Sequence, residues 1–324
     1  MQRNLLAGLD IGGTKCAVTI GSIIDSRIEI LEKKQFPTPP SPEQAIKQLE
    51  DMLDHILQAL NLSSINAIGI SCGGPLNSKR GLILSPPNLS NWDKVDIITP
   101  FHEKYGVPVG LQNDANACAL AEWKWGAGQG ASNMIFLTFG TGMGAGLILN
   151  GNLYTGTNDM AGEVGHIRLA EEGPLGYGKF GSFEGFCSGG GIANLAKKMT
   201  EAAIHKGKTP SFCPSLEDKE KITAKSVGIA AQNGDPLAIE VYHEVGRKLG
   251  RGLAILVDLL NPERIIIGSI YGRQQNILEP IVKEELQKES LSISHSVCKV
   301  IPSGLGEHVG DFASLSVALH TIEK

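Results

Sequence analysis

Asp10, Gly12, Gly13 and Thr14 fall within one short run, Leu9-Asp-Ile-Gly-Gly-Thr-Lys15, and their types suit a phosphate and a divalent cation. A glycine pair in a tight turn presents backbone N–H groups to an anion with no side chain in the way. Thr14 adds a hydroxyl donor, and a carboxylate at Asp10 suits Mg²⁺, held directly or through water. Taken alone, the run is equally well an ordinary hairpin turn. A second copy of the design favours the phosphate. Asn133 to Asn150 again reads strand, glycine-rich turn, strand, around Gly140-Thr-Gly-Met-Gly144. A dinucleotide fingerprint would need a helix after those glycines. Here Ala145 to Leu149 runs into Asn150-Gly151, a turn signal, so the segment continues as a strand. The phosphate loop G-x-x-x-x-G-K-[ST] is absent too, because Gly207-Lys-Thr209 has Ala202 where its first glycine belongs. Two phosphate-facing hairpins, one in each half of the chain, imply two similar lobes gripping one nucleotide from both sides.

The elements that must position these turns alternate as strands and helices, which suits layered α/β lobes. Strands precede and follow each glycine turn. Ile46, Leu49, Leu53, Ile56, Leu57 and Leu60 mark one face of a helix after Pro42-Glu43. Further strands are expected at Ile65 to Ser71, Val107 to Leu111, Glu263 to Gly268 and Val297 to Pro302. Helices are expected at Ala115 to Trp125, Gly189 to Lys206, Leu237 to Leu260, Asn276 to Lys288 and Asp311 to Thr321. Gly126 to Gly130 reads as a flexible break between lobes, which gives an N-terminal lobe of residues 1–125 and a C-terminal lobe of residues 126–308. A final helix at about 309–324 packs back onto the first lobe. The 324 residues are enough for two lobes with separate cores. A formal net charge of −5 argues against a nucleic-acid surface. No window reads as a membrane span or a signal peptide, and the six cysteines form no C-x-x-C pair, as expected of reduced thiols in a cytoplasmic protein.

Four motifs in register then point to a family. Asp10-Ile-Gly-Gly-Thr-Lys15, Gln112-Asn-Asp-Ala-Asn-Ala117, Phe139-Gly-Thr-Gly-Met-Gly144 and Glu163-Val-Gly-His166 resemble, in that order, the motifs of the ROK family. That family groups sugar kinases with sugar-responsive repressors. The resemblance covers residue 5 to about residue 320. It implies an α/β, two-lobed, actin-like and hexokinase-like fold, a duplicated ribonuclease H-like design with an interlobe cleft.

Carried over residue by residue, the resemblance puts the catalytic base on Asp114, which would take a proton from a sugar hydroxyl as the γ-phosphoryl group arrives. An aspartate between a strand and a helix equally well caps the helix. Asn88, Asn113, Glu163, His166 and Glu184 join Asp114 as the implied sugar-binding set. Asp10, Gly12, Gly13, Thr14, Lys15, Thr141, Gly142 and Gly268 are the implied ATP and phosphate set, with Asp10 serving Mg²⁺, through water. Gly189 to Gly191 lies where it can approach the base or ribose. A small-residue step near the C-terminus, Gly-Ala in the family, reads Ser314-Leu-Ser-Val-Ala318 here, and the resemblance implies that it bears on the nucleotide.

One departure concerns zinc. Most relatives carry C-x-C-G-x-x-G-C-x-E after the histidine, which is the fourth ligand. Here Leu175, Tyr177 and Ser182 replace the three thiolates, and neither leucine nor serine substitutes for a thiolate on zinc. No zinc is expected, and packing of Tyr177 and Phe180 is expected to hold the loop instead. The reading is therefore an ATP- and Mg²⁺-dependent hexose kinase, with glucose at its 6-hydroxyl as first choice. Fructose, mannose, N-acetylmannosamine, N-acetylglucosamine and allose remain open, as do a polyphosphate donor and a catalytically silent sugar sensor. A DNA-binding regulator is disfavoured, since nine residues ahead of Asp10 are too few for a helix-turn-helix domain. A homodimer is what the resemblance implies; nucleic acid and membrane are not expected partners.

Overall fold

The computed structural model describes residues 4–25 and 27–323. Residues 1–3, Ser26 and Lys324, included in the expected lobe boundaries, lie outside them. Two five-stranded sheets organise the chain. The first uses β1 (Asn4–Ile11), β2 (Lys15–Ile24), β3 (Arg27–Pro37), β4 (Ala67–Cys72) and β5 (Val109–Asn113), in the order β3-β2-β1-β4-β5. The second uses β6 (Met134–Phe139), β7 (Met143–Leu149), β8 (Asn152–Tyr154), β9 (Arg264–Ile267) and β10 (Lys299–Pro302), in the order β8-β7-β6-β9-β10. The order is the same in both. Each sheet starts from a meander whose first turn is glycine-rich and adds two parallel strands, β4 and β5 or β9 and β10. This repetition is the duplicated, two-lobed design that the resemblance implies.

The chain divides into two units. One comprises Met1–Gly130, Gly146–Ala161 and Glu307–Lys324; the other comprises Ala131–Ala145 and Gly162–Gly306. Gly146–Ala161 groups with the first unit for visible reasons. Asp159 accepts hydrogen bonds from the Ser78 N–H and hydroxyl at 2.9 and 2.8 Å. Gly146 lies so close to the Ala115 carbonyl that a Cβ there would meet it at 2.4 Å. Gly126 to Gly130 is not a loose break. The buried Glu122 binds it through its carbonyl to the N–H groups of Gly126 and Gly128, and through its carboxylate to that of Ala127 at 2.7 Å.

In the first unit, Leu49, Leu53 and Ile56 of helix Pro42–Ala59 meet Leu9, Ile11, Val18, Ile20, Ile68 and Ile70 in one apolar core. Ser41 caps that helix by accepting from the Gln44 N–H at 3.3 Å, and Pro42 fits its first turn, where no N–H partner is lost. The other face of the sheet is built on glycine. Gly8, Gly69 and Gly110 stand side by side on β1, β4 and β5. The C-terminal helix, Val309–Glu323, lies against this row, with Ser314, Val317, Ala318 and Thr321 facing it. Ser314 and Ser316 are therefore packing residues, not nucleotide contacts. Both are buried, and the Ser316 hydroxyl donates to the Ala117 carbonyl at 2.9 Å.

In the second unit, helix Pro236–Leu260 is capped by Asp235, which accepts from Leu237 and Ala238, and it ends at Asn261 in the left-handed region. Ser292–Val297 forms a short helix, so the strand expected from Val297 begins only at Lys299. Among the described residues, no helix is long and apolar enough to cross a membrane.

Candidate functional site

In the first unit, β1, β4 and β5 run parallel and stop in register, with Ile11, Cys72 and Asn113 as their last residues. The residues that follow therefore gather at one edge, the carboxyl edge where ligands bind in open α/β sheets. Those residues are the Gly12-Gly13 turn and Asp114. The turn is held by the Gly12 N–H donating to the Lys15 carbonyl at 3.1 Å and by the Thr38 hydroxyl donating to the Gly12 carbonyl at 2.5 Å. Gly13 and Thr14 are exposed on it. Gly13 meets Asn88 so closely that a Cβ would stand 2.4 Å from the Asn88 carbonyl oxygen, so these two implied ligands sit together. Lys15 turns along the sheet, donating to Gln35 at 3.3 Å.

Asp114 opens helix Asp114–Trp125 without capping it. The cap is Asn113, whose side-chain oxygen accepts from the Asn116 N–H at 2.8 Å. Asn113 is only 8% exposed, and its amide nitrogen is the group left to donate to a hydroxyl. Asp114 accepts from its neighbour Ala115 at 2.8 Å and remains exposed. Crowding by protein atoms still raises its carboxyl above the ordinary value, since that desolvation outweighs the Ala115 bond.

Asp10 is pushed up to about 6, first by burial and then by the Asp114 charge, against the pull of Lys33 and Lys15. Lys33 itself pairs with Asp311 on the C-terminal helix. The folded pKa is raised, so below the unfolded value of 3.8 the carboxyl is protonated in both states and costs nothing. Between 3.8 and about 6 the unfolded chain ionises first and stability falls; above that range the loss is complete. Without added metal, Asp10→Asn is therefore expected to raise the melting temperature at about pH 7.5, with a gain that fades toward about pH 4. A gain independent of pH would contradict this origin.

In the second unit, Gly140 to Gly142 forms the turn between β6 and β7, with Thr141 exposed. Glu184 reaches this turn, and one carboxylate oxygen accepts from the Met143 N–H at 3.1 Å. Gly142 leaves room for it, since a Cβ would stand 2.9 Å from that oxygen. Gly165 lets the Glu184 side chain come close, since a Cβ there would stand 3.2 Å from the Glu184 Cβ, so the turn carrying Glu163 and His166 is brought to Glu184. Glu163 is exposed and His166 half-buried.

The loop in the place of the zinc motif does not hold by packing Tyr177 and Phe180, which are each 61% exposed. Backbone and polar bonds hold it. Leu175 and Gly176 pair with Phe180 and Lys179, and Arg168 donates to the Phe180 carbonyl at 2.9 Å. Ser182, fully buried, accepts from the Gly185 N–H at 3.0 Å and caps the short helix Phe183–Phe186 that carries Glu184.

A cavity of about 780 Å³ lies wholly within this unit. Gly140, Thr141, Gly189 and Gly190 line one part of it, and Ile222, Ala224, Ile229, Tyr242 and Ile270 give it apolar walls. Helix Gly189–His205 opens there; the Gly189 N–H donates to the Gly140 carbonyl at 2.7 Å and the Gly191 N–H to the Ser188 hydroxyl at 3.0 Å, which leaves the Gly190 N–H for an anion. Gly268 is buried and continues β9 through a bond to Leu137 at 3.0 Å; Ser269 is the residue that lines the cavity. The sequence reading missed the wall from Thr223 to Gln232. Its one signal is the capping box in which Thr223 and Ser226 bond reciprocally to start helix Ala224–Gln232.

The ROK family model matches residues 6–319. A glucokinase of Streptomyces coelicolor is 32% identical over 311 residues, covering 94% of this chain and 95% of that protein. The crystal structure of a ROK family glucokinase from Streptomyces griseus, in complex with glucose and AMPPNP, superposes with a TM-score of 0.76 at 28% identity, covering 98% of this chain and 99% of that one. A ROK family transcriptional regulator, a homologue of the E. coli MLC protein, superposes with a TM-score of 0.85 at 25% identity, covering 98% of this chain and 78% of that one. With its motifs, its duplicated sheets and a match over nearly its whole length, the chain belongs to the ROK family.

Proposed function

We propose that the chain is an ATP-dependent sugar kinase that transfers the γ-phosphoryl group to a hexose hydroxyl, with the 6-hydroxyl of glucose as acceptor. One observation carries the reading: Asn113 caps the helix, and the Asp114 carboxylate, one oxygen of which accepts from the neighbouring Ala115 N–H, stands exposed at the strand edge that also carries the Gly12-Gly13 turn. A binding protein needs no such base. The names of the Streptomyces relatives support the choice of glucose.

In this reading Asp114 takes the proton of the attacking hydroxyl, and its raised pKa makes it the stronger base. Asn88, Asn113, Glu163, His166 and Glu184 orient the sugar; the Glu184 oxygen not held by Met143 accepts from a hydroxyl. N–H groups of Gly13, Thr14 and Lys15 in one unit, and of Thr141, Gly142 and Gly190 in the other, are each suited to a phosphate. The cavity beside Gly140 and Gly190 receives the nucleoside. Asp10, a hard oxygen donor, would hold the Mg²⁺ arriving with the nucleotide through water, and the cation would favour its ionised form against the neighbouring Asp114 charge. That ion would neutralise charge on the phosphoryl oxygens.

The test is a coupled ADP-release screen with Mg²⁺ and ATP over glucose, fructose, mannose, N-acetylmannosamine, N-acetylglucosamine and allose. Hexose-dependent release is expected, greatest with glucose; release that ignores the sugar would overturn the reading. The similarity to the transcriptional regulator supports a second reading, a sugar sensor, which predicts binding without release. Elemental analysis is expected to find no stoichiometric zinc, and activity is expected to survive treatment with a zinc-selective chelator; one zinc per chain would contradict the account of the 175–184 loop. A homodimer belongs to the same proposal, and sedimentation reads it.

A further inference from the structure

The loop Gly176-Tyr-Gly-Lys179 is a two-residue turn between paired strands, with φ of 49° at Tyr177 and 76° at Gly178. Positive φ at both central residues is the type I′ pattern, which favours asparagine or glycine at the first position. A tyrosine there carries a steric cost, because its Cβ crowds the backbone in the left-handed region. Burial does not offset it, because the side chain is 61% exposed. What the ring does contact is His166. The two ring centroids are 4.6 Å apart, with planes at 69°, an edge-to-face arrangement. The adjoining Lys179 ammonium donates to the His166 carbonyl at 2.7 Å, so the loop grips both the ring and the backbone of that residue.

We infer that Tyr177 is a positioning residue for His166, its ring fixing the imidazole toward the sugar in a loop that lacks three thiolates. The inference rests on the reading of His166 as a sugar ligand. Edge-to-face pairs add a modest but directional attraction, enough to hold one ring orientation that water would otherwise randomise. Arg168, Ser182 and the strand pairing fix the loop; Tyr177 fixes what the loop presents.

The test uses Tyr177→Asn, which suits the turn better than tyrosine but lacks the ring, and Tyr177→Phe, which keeps the ring. Sugar affinity is measured by calorimetry with the panel hexose that binds the wild type most tightly, alongside KM for sugar and for ATP. Tyr177→Asn is expected to keep or raise the melting temperature while weakening sugar binding about 3–10-fold, leaving KM for ATP unchanged. Tyr177→Phe is expected to behave as wild type. His166→Ala should weaken sugar binding at least as much, and Tyr177→Asn should add nothing in that background. Unchanged sugar affinity in Tyr177→Asn, with a weakened His166→Ala, would overturn the positioning role alone. Unchanged affinity in His166→Ala would overturn both it and the sugar-ligand reading. Equal effects of Tyr177→Asn on sugar and ATP would mark a merely structural role and overturn the inference.

Discussion

Asp114→Asn is expected to lower kcat by about 10²–10⁴-fold while sugar and ATP still bind within a few-fold of wild type. Asparagine keeps the reach of the side chain and its ability to accept from the Ala115 N–H, so the start of the helix is undisturbed. The cap is supplied by Asn113, which the substitution does not touch. What disappears is basicity. The like-charge repulsion on Asp10 disappears as well, so the Asp10 carboxyl should move down toward its ordinary range. Near-normal turnover in a well-folded Asp114→Asn protein would remove the assignment of the base.

Gly69→Ala is expected to destabilise the first unit by about 3 kcal/mol, the upper end for an overpacked core. A Cβ on Gly69 would stand 2.1 Å from the Ser314 carbonyl oxygen and 2.2 Å from the Ala318 nitrogen. Both are backbone atoms of the C-terminal helix, so relief requires the helix to move. Its neighbours in the row are milder. Gly8→Ala and Gly110→Ala meet first the hydroxyl oxygens of Ser314 and Thr321, at 2.3 and 2.0 Å, and these can rotate or be removed. Urea midpoints should therefore rank Gly69→Ala lowest, and Thr321→Ala should rescue Gly110→Ala but not Gly69→Ala. Equal losses at all three positions would show that the helix does not rest on this row.

The glycine turns, the helix Pro42–Ala59 and the long helix Pro236–Leu260 were legible because each follows a local rule: paired glycines, an apolar stripe, a proline at the first turn. Strand β3 was not. Its run Arg-Ile-Glu-Ile-Leu-Glu-Lys-Lys-Gln carries the charges that suit a sheet edge and lacks the apolar signal of a buried strand. The glycine row escaped for another reason, since Gly8, Gly69 and Gly110 are far apart in sequence and are brought together only by register. Within the site, the glycine turns and the place of Asp114 between a strand and a helix were readable from residue type and neighbouring elements, whereas the role of Asp114 as base came only from the resemblance. The division of labour between Asn113 and Asp114 was not, because both suit a helix N-terminus and only geometry chooses the cap. The role of the 175–184 loop was misread because tyrosine and phenylalanine in an apolar-looking run suggest packing, whereas the strand pairing turns them outward.

Phosphoryl transfer itself is the claim on which the rest depends, and its most direct measurement follows the atom that moves. The protein is incubated with Mg²⁺, glucose and ATP carrying an isotopic label in the γ-phosphoryl group, and the products are resolved by mass spectrometry. The account predicts labelled glucose 6-phosphate and ADP formed in equal amounts, both lost together in Asp114→Asn. Label that stays in ATP or passes to inorganic phosphate, with glucose and nucleotide both bound, would contradict it.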